Sequence, residues 1–139
     1  MIEWEFQKAI YARLSGDATL AGLGVAVVDI SGQPDPGDPA AAFPRVEIGY
    51  QDAREWDTKT ETGLDLLLRI HTYSASGSMR EPREIQSRIY ELLHRDPAGL
   101  SLPAGLRLVL LVRESSFVDR DPDRVLHGVC EYRALIEAL

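Results

Sequence analysis

Positive charge is in short supply in this sequence. Fifteen Lys and Arg stand against 22 Asp and Glu, giving a formal net charge of −7 and a pI of about 4.9. Binding to phosphate backbones needs clustered cations, so the balance argues against a sequence-specific nucleic-acid partner while leaving room for a local basic patch. Cysteine is scarcer still. Cys130 is alone, which rules out an internal disulfide and a CxxC zinc pair and is compatible with a reducing compartment. The three histidines, His71, His94 and His127, have neither HxxxH nor HExxH spacing, and no metal is expected. No GxSxG elbow, Walker A loop or GxGxxG is present, so no cofactor and no enzyme activity are expected. Long apolar runs are missing as well. The most apolar stretch, "LRLVLLV" at 106–112, is far too short to cross a bilayer as a helix. "MIEWEFQKAI" carries Glu3 and Glu5 where a secretory signal would be basic. A soluble, non-secreted domain without a membrane partner is expected.

What is present suffices for one core. Hydrophobic residues make up 45% of 139 positions, which predicts a single domain over 1–139. Ile2, Phe6, Ile10 and Leu14 recur every four residues and predict a first helix with one apolar stripe. Glu3 and Glu5 suit the positive end of its dipole. Ser15-Gly16-Asp17 is its expected stop, with Gly16 suited to a left-handed cap. Asp17 offers a start for a further short turn through Leu20 and Leu23. Ile85, Ile89, Leu92 and Leu93 predict a second main helix, with Ser78 and Glu81 at capping-box spacing and Asp96-Pro97 at its end.

Strand signals fill the rest. "VAVVDI" at 25–30 is short and β-branched. The next stretch, 31–44, holds four prolines and two glycines and reads as a surface loop. In "RVEIGY", Val46, Ile48 and Tyr50 point one way and Glu47 the other. From Thr62, Leu64, Leu66, Leu68 and Ile70 face one side, and Asp65, Leu67, Arg69 and His71 the other. Leu106, Leu108, Leu110 and Val112 are expected on one face, alternating with Arg107 and Arg113. In the last strand Leu126, Cys130, Tyr132, Ala134 and Ile136 oppose His127, Glu131 and Arg133. "DRDPDR" at 119–124 reads as a hairpin turn. An EF-hand loop would need Gly and Glu where Arg124 and Cys130 stand. The order α-β-loop-β-β-α-β-β predicts an α+β domain: a mostly antiparallel sheet with two main helices packed on one face.

The densest polar cluster is "REWDTKTETG", 54–63. Its carboxylates, Glu55, Asp57 and Glu61, are the material of acid–base chemistry if buried together. Arg54 and Lys59 interleave with them, which favours a solvated or interfacial salt-bridge cluster. Trp56 among these charges is either a core-edge residue or an interface anchor. Arg54, Glu55, Trp56, Asp57, Lys59 and Glu61 are therefore the expected contact residues. His71 and His127 lie on the polar faces of their strands and meet if those strands are neighbours. Burial as a small hydrophobe is the expected role of Cys130.

Several segments together resemble a known family. "FQKAIYARLSGDATL" (6–20), "FPRVEIG" (43–49), "REWDTKTETG" (54–63), "IYELLH" (89–94) and "HGVCEYRAL" (127–135) are similar, in order and spacing, to phage and prophage tail completion proteins. These are also called tail terminator or tail-to-head joining proteins and have gene-transfer-agent relatives. The resemblance spans nearly the whole chain, with the Pro/Gly loop longer and richer in proline than the family pattern. It implies a structural subunit made in the bacterial cytoplasm and located in the virion tail or neck. It implies a homo-oligomeric ring, often a hexamer, that caps the tail tube and joins it to the head connector. The implied partners are other copies of the chain, the tail tube protein and the head–tail connector protein. Two readings compete with it. One is a small enzyme or ligand-binding α+β domain using the carboxylates and His71; the other is an adaptor that binds through a sheet edge, without catalysis.

Overall fold

The four-residue repeat near the start forms helix α1 (Ile2–Ser15) of the computed structural model, which describes residues 1–29, 42–57, 60–120 and 125–139. Phe6, Ile10 and Leu14 are fully buried along one stripe. Gly16 ends the helix with φ −86°, a right-handed cap rather than the left-handed one expected. Asp17 then starts α2 (Ala18–Gly22), its side chain accepting the Leu20 N–H at 2.9 Å. This satisfies one of the donors a helix start leaves open.

Among the described residues, five strands form one sheet in the order β1-β2-β3-β5-β4. They are β1 (Ala26–Val28), β2 (Arg45–Glu55), β3 (Thr62–Ser74), β4 (Leu106–Arg120) and β5 (Leu126–Ala138). Of these strands, β1 and β2 pair in parallel and the other pairs are antiparallel. Helix α3 (Arg80–Leu93) and a 3-10 turn at Pro97–Gly99 lie between β3 and β4. The α+β class and the element order agree with the sequence reading, with α2 and the 3-10 turn added.

One face of the sheet carries the core. Leu66, Leu68 and Ile70 of β3 and Tyr132, Ala134 and Ile136 of β5 are fully buried against Phe6, Ile10, Ile85 and Ile89. Each buried Leu or Ile contributes about 1.5–3 kcal/mol through removal from water. α1 packs on β1 and β2, and α3 on β3, β4 and β5.

Two further expectations fail locally. The alternation predicted for β4 breaks between Leu108 and Leu110, where an irregularity shifts the register. Leu106 and Leu108 pack on the core, Leu110 pairs opposite Leu135 on the other face, and Leu111 becomes the buried residue. A bulge adds one residue and reverses parity beyond it. The capping box also does not form. Glu81 accepts a hydrogen bond from Ser74 at 2.7 Å, Ser78 accepts the Arg80 N–H at 3.2 Å, and Met79 holds the N-cap position. The Pro/Gly-rich stretch from 30 to 41 and the turn predicted around Pro122 (121–124) lie outside the described residues.

Candidate interface on the uncovered sheet face

Among the described residues, no helix packs on the second face of the sheet. Strand register decides which side chains meet there. Moving inward from one end of the sheet, Arg45, Tyr73, His127 and Asp119 stand side by side on β2, β3, β5 and β4. Next come Glu47, His71, Val129 and Phe117, and then Arg69, Glu131 and Ser115. Toward the opposite end lie Asp52, Leu67, Arg133 and Val112, then Arg54, Asp65, Leu135 and Leu110.

Opposite charges fall on neighbouring strands along this face. Arg69 donates to Glu131 at 3.2 Å. Arg133 donates twice to Asp65, at 2.9 and 2.6 Å, and lies 4.0 Å from Glu114. Arg107 binds Glu137 through Nε at 3.0 Å and lies 3.9 Å from Glu61. Such cross-strand and diagonal pairs favour this register, and salt screens them where they are exposed. Between them, Asp52, Arg54, Asp65, Leu67, Glu114 and Arg133 line a shallow groove of about 310 Å³.

The end near Arg45 is aromatic. His71 Nδ1 and His127 Nε2 are 2.8 Å apart, so the sequence expectation of a histidine pair holds because β3 and β5 are neighbours. Tyr73 stacks on His127 with ring centroids 4.5 Å apart, and the Arg45 guanidinium lies 4.4 Å from the Tyr73 ring and 4.8 Å from that of Phe43. Arg45 is bonded to Glu47 at 3.0 Å, with both nearly buried. Burial holds His71 below the usual histidine range, and the positive charges of His127 and Arg69 add to the effect. Burial likewise pushes the Cys130 thiol up to about 11, so it is the buried small hydrophobe expected. Among the described residues, no group of three or more His, Cys, Asp or Glu is placed to hold a metal ion. No helix there is long and apolar enough to cross a membrane.

The structure distributes the expected contact residues instead of massing them. Arg54 is exposed on the uncovered face, 3.5 Å from Asp52 and opposite Asp65. Glu55 is exposed at the end of β2. Trp56 is half-buried; its N–H donates to the Gly63 carbonyl at 3.0 Å and its ring lies over Gly63. Asp57 accepts the Gly63 N–H at 3.2 Å, so the Trp-Asp pair closes the β2–β3 connection. Glu61 sits across the sheet end near Arg107. Lys59 lies outside the described residues. Sequence reasoning missed Asp52, Asp65, Glu114 and Arg133. For Asp65 and Arg133 the signal was opposite charge at odd positions of β3 and β5, which becomes a contact only once strand order is known.

A chain of the virion of a native gene transfer agent particle superposes with a TM-score of 0.78 at 26% identity, covering 95% of this chain and 94% of its own. No curated protein matches the sequence. The sequence model described as "Tail completion protein gp17" matches residues 8–137, through all five strands, and the chain belongs to that family.

Proposed function

We propose that the chain forms a closed ring, six-fold in symmetry, that caps a tail tube and joins it to the head connector. The family match over 8–137 carries this reading, and it makes the chain a structural tail protein. The subunit is made in the bacterial cytoplasm and ends in the tail or neck of the particle. Its partners are copies of itself, the tube protein and the connector protein.

The physics of ring closure supports the assignment. A ring uses head-to-tail contacts, which need complementary patches on different sides of one subunit. The charge of both signs on the uncovered face suits register-setting between subunits. Arg54, Glu55, Trp56, Asp57, Lys59 and Glu61 are the proposed contact residues at the β2–β3 end. Electron microscopy and mass measurement of purified protein, alone and with tail tubes, test the ring. Rings of a single size are expected. A monomer at every concentration, with tubes present as well as without, overturns the reading.

A further inference from the structure

Two hydrogen-bond donors face each other at the end of α3. His94 Nδ1 accepts the backbone N–H of Arg113 at 3.0 Å. A neutral imidazole has one acceptor and one donor nitrogen, so the proton is on Nε2. Arg95 Nε, a donor that stays protonated, lies 3.3 Å from that Nε2. The contact is donor against donor, and among the described residues neither N–H meets an oxygen. An oxygen at ordinary hydrogen-bond distance from both nitrogens completes a triangle on a 3.3 Å base.

The His94 ring and the Arg95 backbone are held in place. Arg95 has φ 56°, uncommon for a non-glycine residue, and its own N–H donates to the Leu111 carbonyl at 2.8 Å. The His94 ring stacks on Tyr90 with centroids 4.3 Å apart, and the Arg113 guanidinium lies 4.3 Å from the Tyr90 ring. Arg95 is exposed to solvent.

Several other guanidinium groups are claimed by carboxylates: Asp17 and Glu91 hold Arg88, Glu61 and Glu137 hold Arg107, and Asp65 and Glu114 hold Arg133. Among the described residues no carboxylate pairs with Arg95 or Arg113. Burial lowers the His94 pKa, and the charges of Arg95 and Arg113 lower it further, so both cations bear on this ring. In a chain of net charge −7 this is a local positive spot.

We propose that His94 Nε2 and Arg95 Nε bind one oxygen of an oxyanion, a phosphate or a carboxylate, with Arg113 supplying the second positive charge. The oxygen comes from a small phosphate or from a carboxylate of a second copy of the chain. The site does not depend on ring formation.

The test follows the His94 Cε1–H signal of the full chain by NMR near pH 7, identified by its loss in His94→Asn. Asn keeps an acceptor for the Arg113 N–H. Inorganic phosphate is added at constant ionic strength, and the protein is also diluted without phosphate. A saturable shift with phosphate supports the site and a small-anion source. A shift that follows protein concentration supports it with a second copy as the source. Arg95→Gln should weaken either response about tenfold, the effect of losing one charge-assisted hydrogen bond. Arg83→Gln, which removes an exposed cation from the same helix, should leave it unchanged. An unmoved His94 signal in both series, or an equal response in Arg95→Gln shown folded by circular dichroism, overturns the proposal.

Discussion

Arg88 grips Asp17 across 71 positions of sequence, donating Nε to Oδ2 at 3.0 Å and Nη2 to Oδ1 at 2.7 Å. The same carboxylate caps α2, so one side chain ties α2 to α3. Hydrogen bonding from Arg88 lowers the Asp17 pKa; burial opposes this, and the Leu20 N–H and the charges of Arg88 and Arg13 reinforce it. The stabilisation is present above the ordinary Asp value of about 3.9 and lost as pH falls through the lower folded value. Asp17→Ala should cost about 1 kcal/mol for the cap alone, and more with the ion pair. Urea denaturation from pH 5 to 2 should show a shallower loss in the variant than in the parent. Equal slopes would remove Asp17 from the account.

Gly63 has no room for a side chain. A Cβ there would stand 2.6 Å from the Trp56 carbonyl oxygen, 2.9 Å from the Trp56 ring and 3.0 Å from the Ile136 carbonyl oxygen. Two of these atoms are backbone and cannot swing aside. Gly63→Ala should destabilise by about 1–3 kcal/mol, the usual cost of overpacking. A thermal melt within experimental error of the parent would mean that the β2–β3 connection relaxes freely.

What the sequence disclosed follows the reach of each signal. The alternation in β3 and β5 was readable because a strand buried on one face must repeat every two residues. The β4 alternation was not, because irregularities at Leu108/Leu110 and Arg113/Ser115 shift its phase without a mark in composition. The histidine pair was readable only as a condition, since strand neighbours are set by topology. The Asp17–Arg88 bond and the Asp65–Arg133 pair had no local signal, being contacts between distant segments. The capping-box spacing at Ser78 and Glu81 was present, but Ser74 took the carboxylate instead.

His71 fits where Gly49 has no side chain; a Cβ there would be 2.6 Å from the imidazole. Its neighbours on this face are Glu47 on β2, Arg69 and Tyr73 on β3, and Val129 and His127 on β5. Because its folded pKa is lowered, the unfolded chain binds the proton more readily. Stability should therefore fall as pH drops through the ordinary histidine value of about 6.5 and level off below the folded value. His94 is lowered too and shares this window. Melts between pH 7.5 and 5 should show a decline that is smaller in His71→Gln, with the His94 part remaining. An unchanged decline in the variant would contradict the assignment.

Tyr132 is fully buried, and its hydroxyl has no hydrogen-bond partner among the described residues. Burial raises its pKa, so the neutral phenol is the form held in the core. A buried donor without a partner costs about 1–3 kcal/mol. Tyr132→Phe removes that donor and keeps the ring, so it should be neutral or stabilise by about 1 kcal/mol. A loss above about 1 kcal/mol in urea denaturation would show that the hydroxyl is satisfied in solution.

Arg54 separates assembly from folding most cleanly. Its side chain is 78% exposed, and its 3.5 Å contact with Asp52 is the kind of surface pair that adds little stability. Reversing its charge should leave the melting temperature of the isolated subunit unchanged. In the proposed ring, a carboxylate here would meet whatever carboxylates of the neighbouring copy Arg54 faces, and like charges would suppress docking. Arg54→Glu should therefore shift the protein from rings to monomers in mass measurements, with the shift reduced at high salt because exposed charges are screened. Trp56→Ala with Asp57→Ala is less clean, since those residues also close the strand connection over Gly63. If Arg54→Glu forms rings as readily as the parent at low salt, the contact lies elsewhere on the subunit, and the β2–β3 end is not the ring surface.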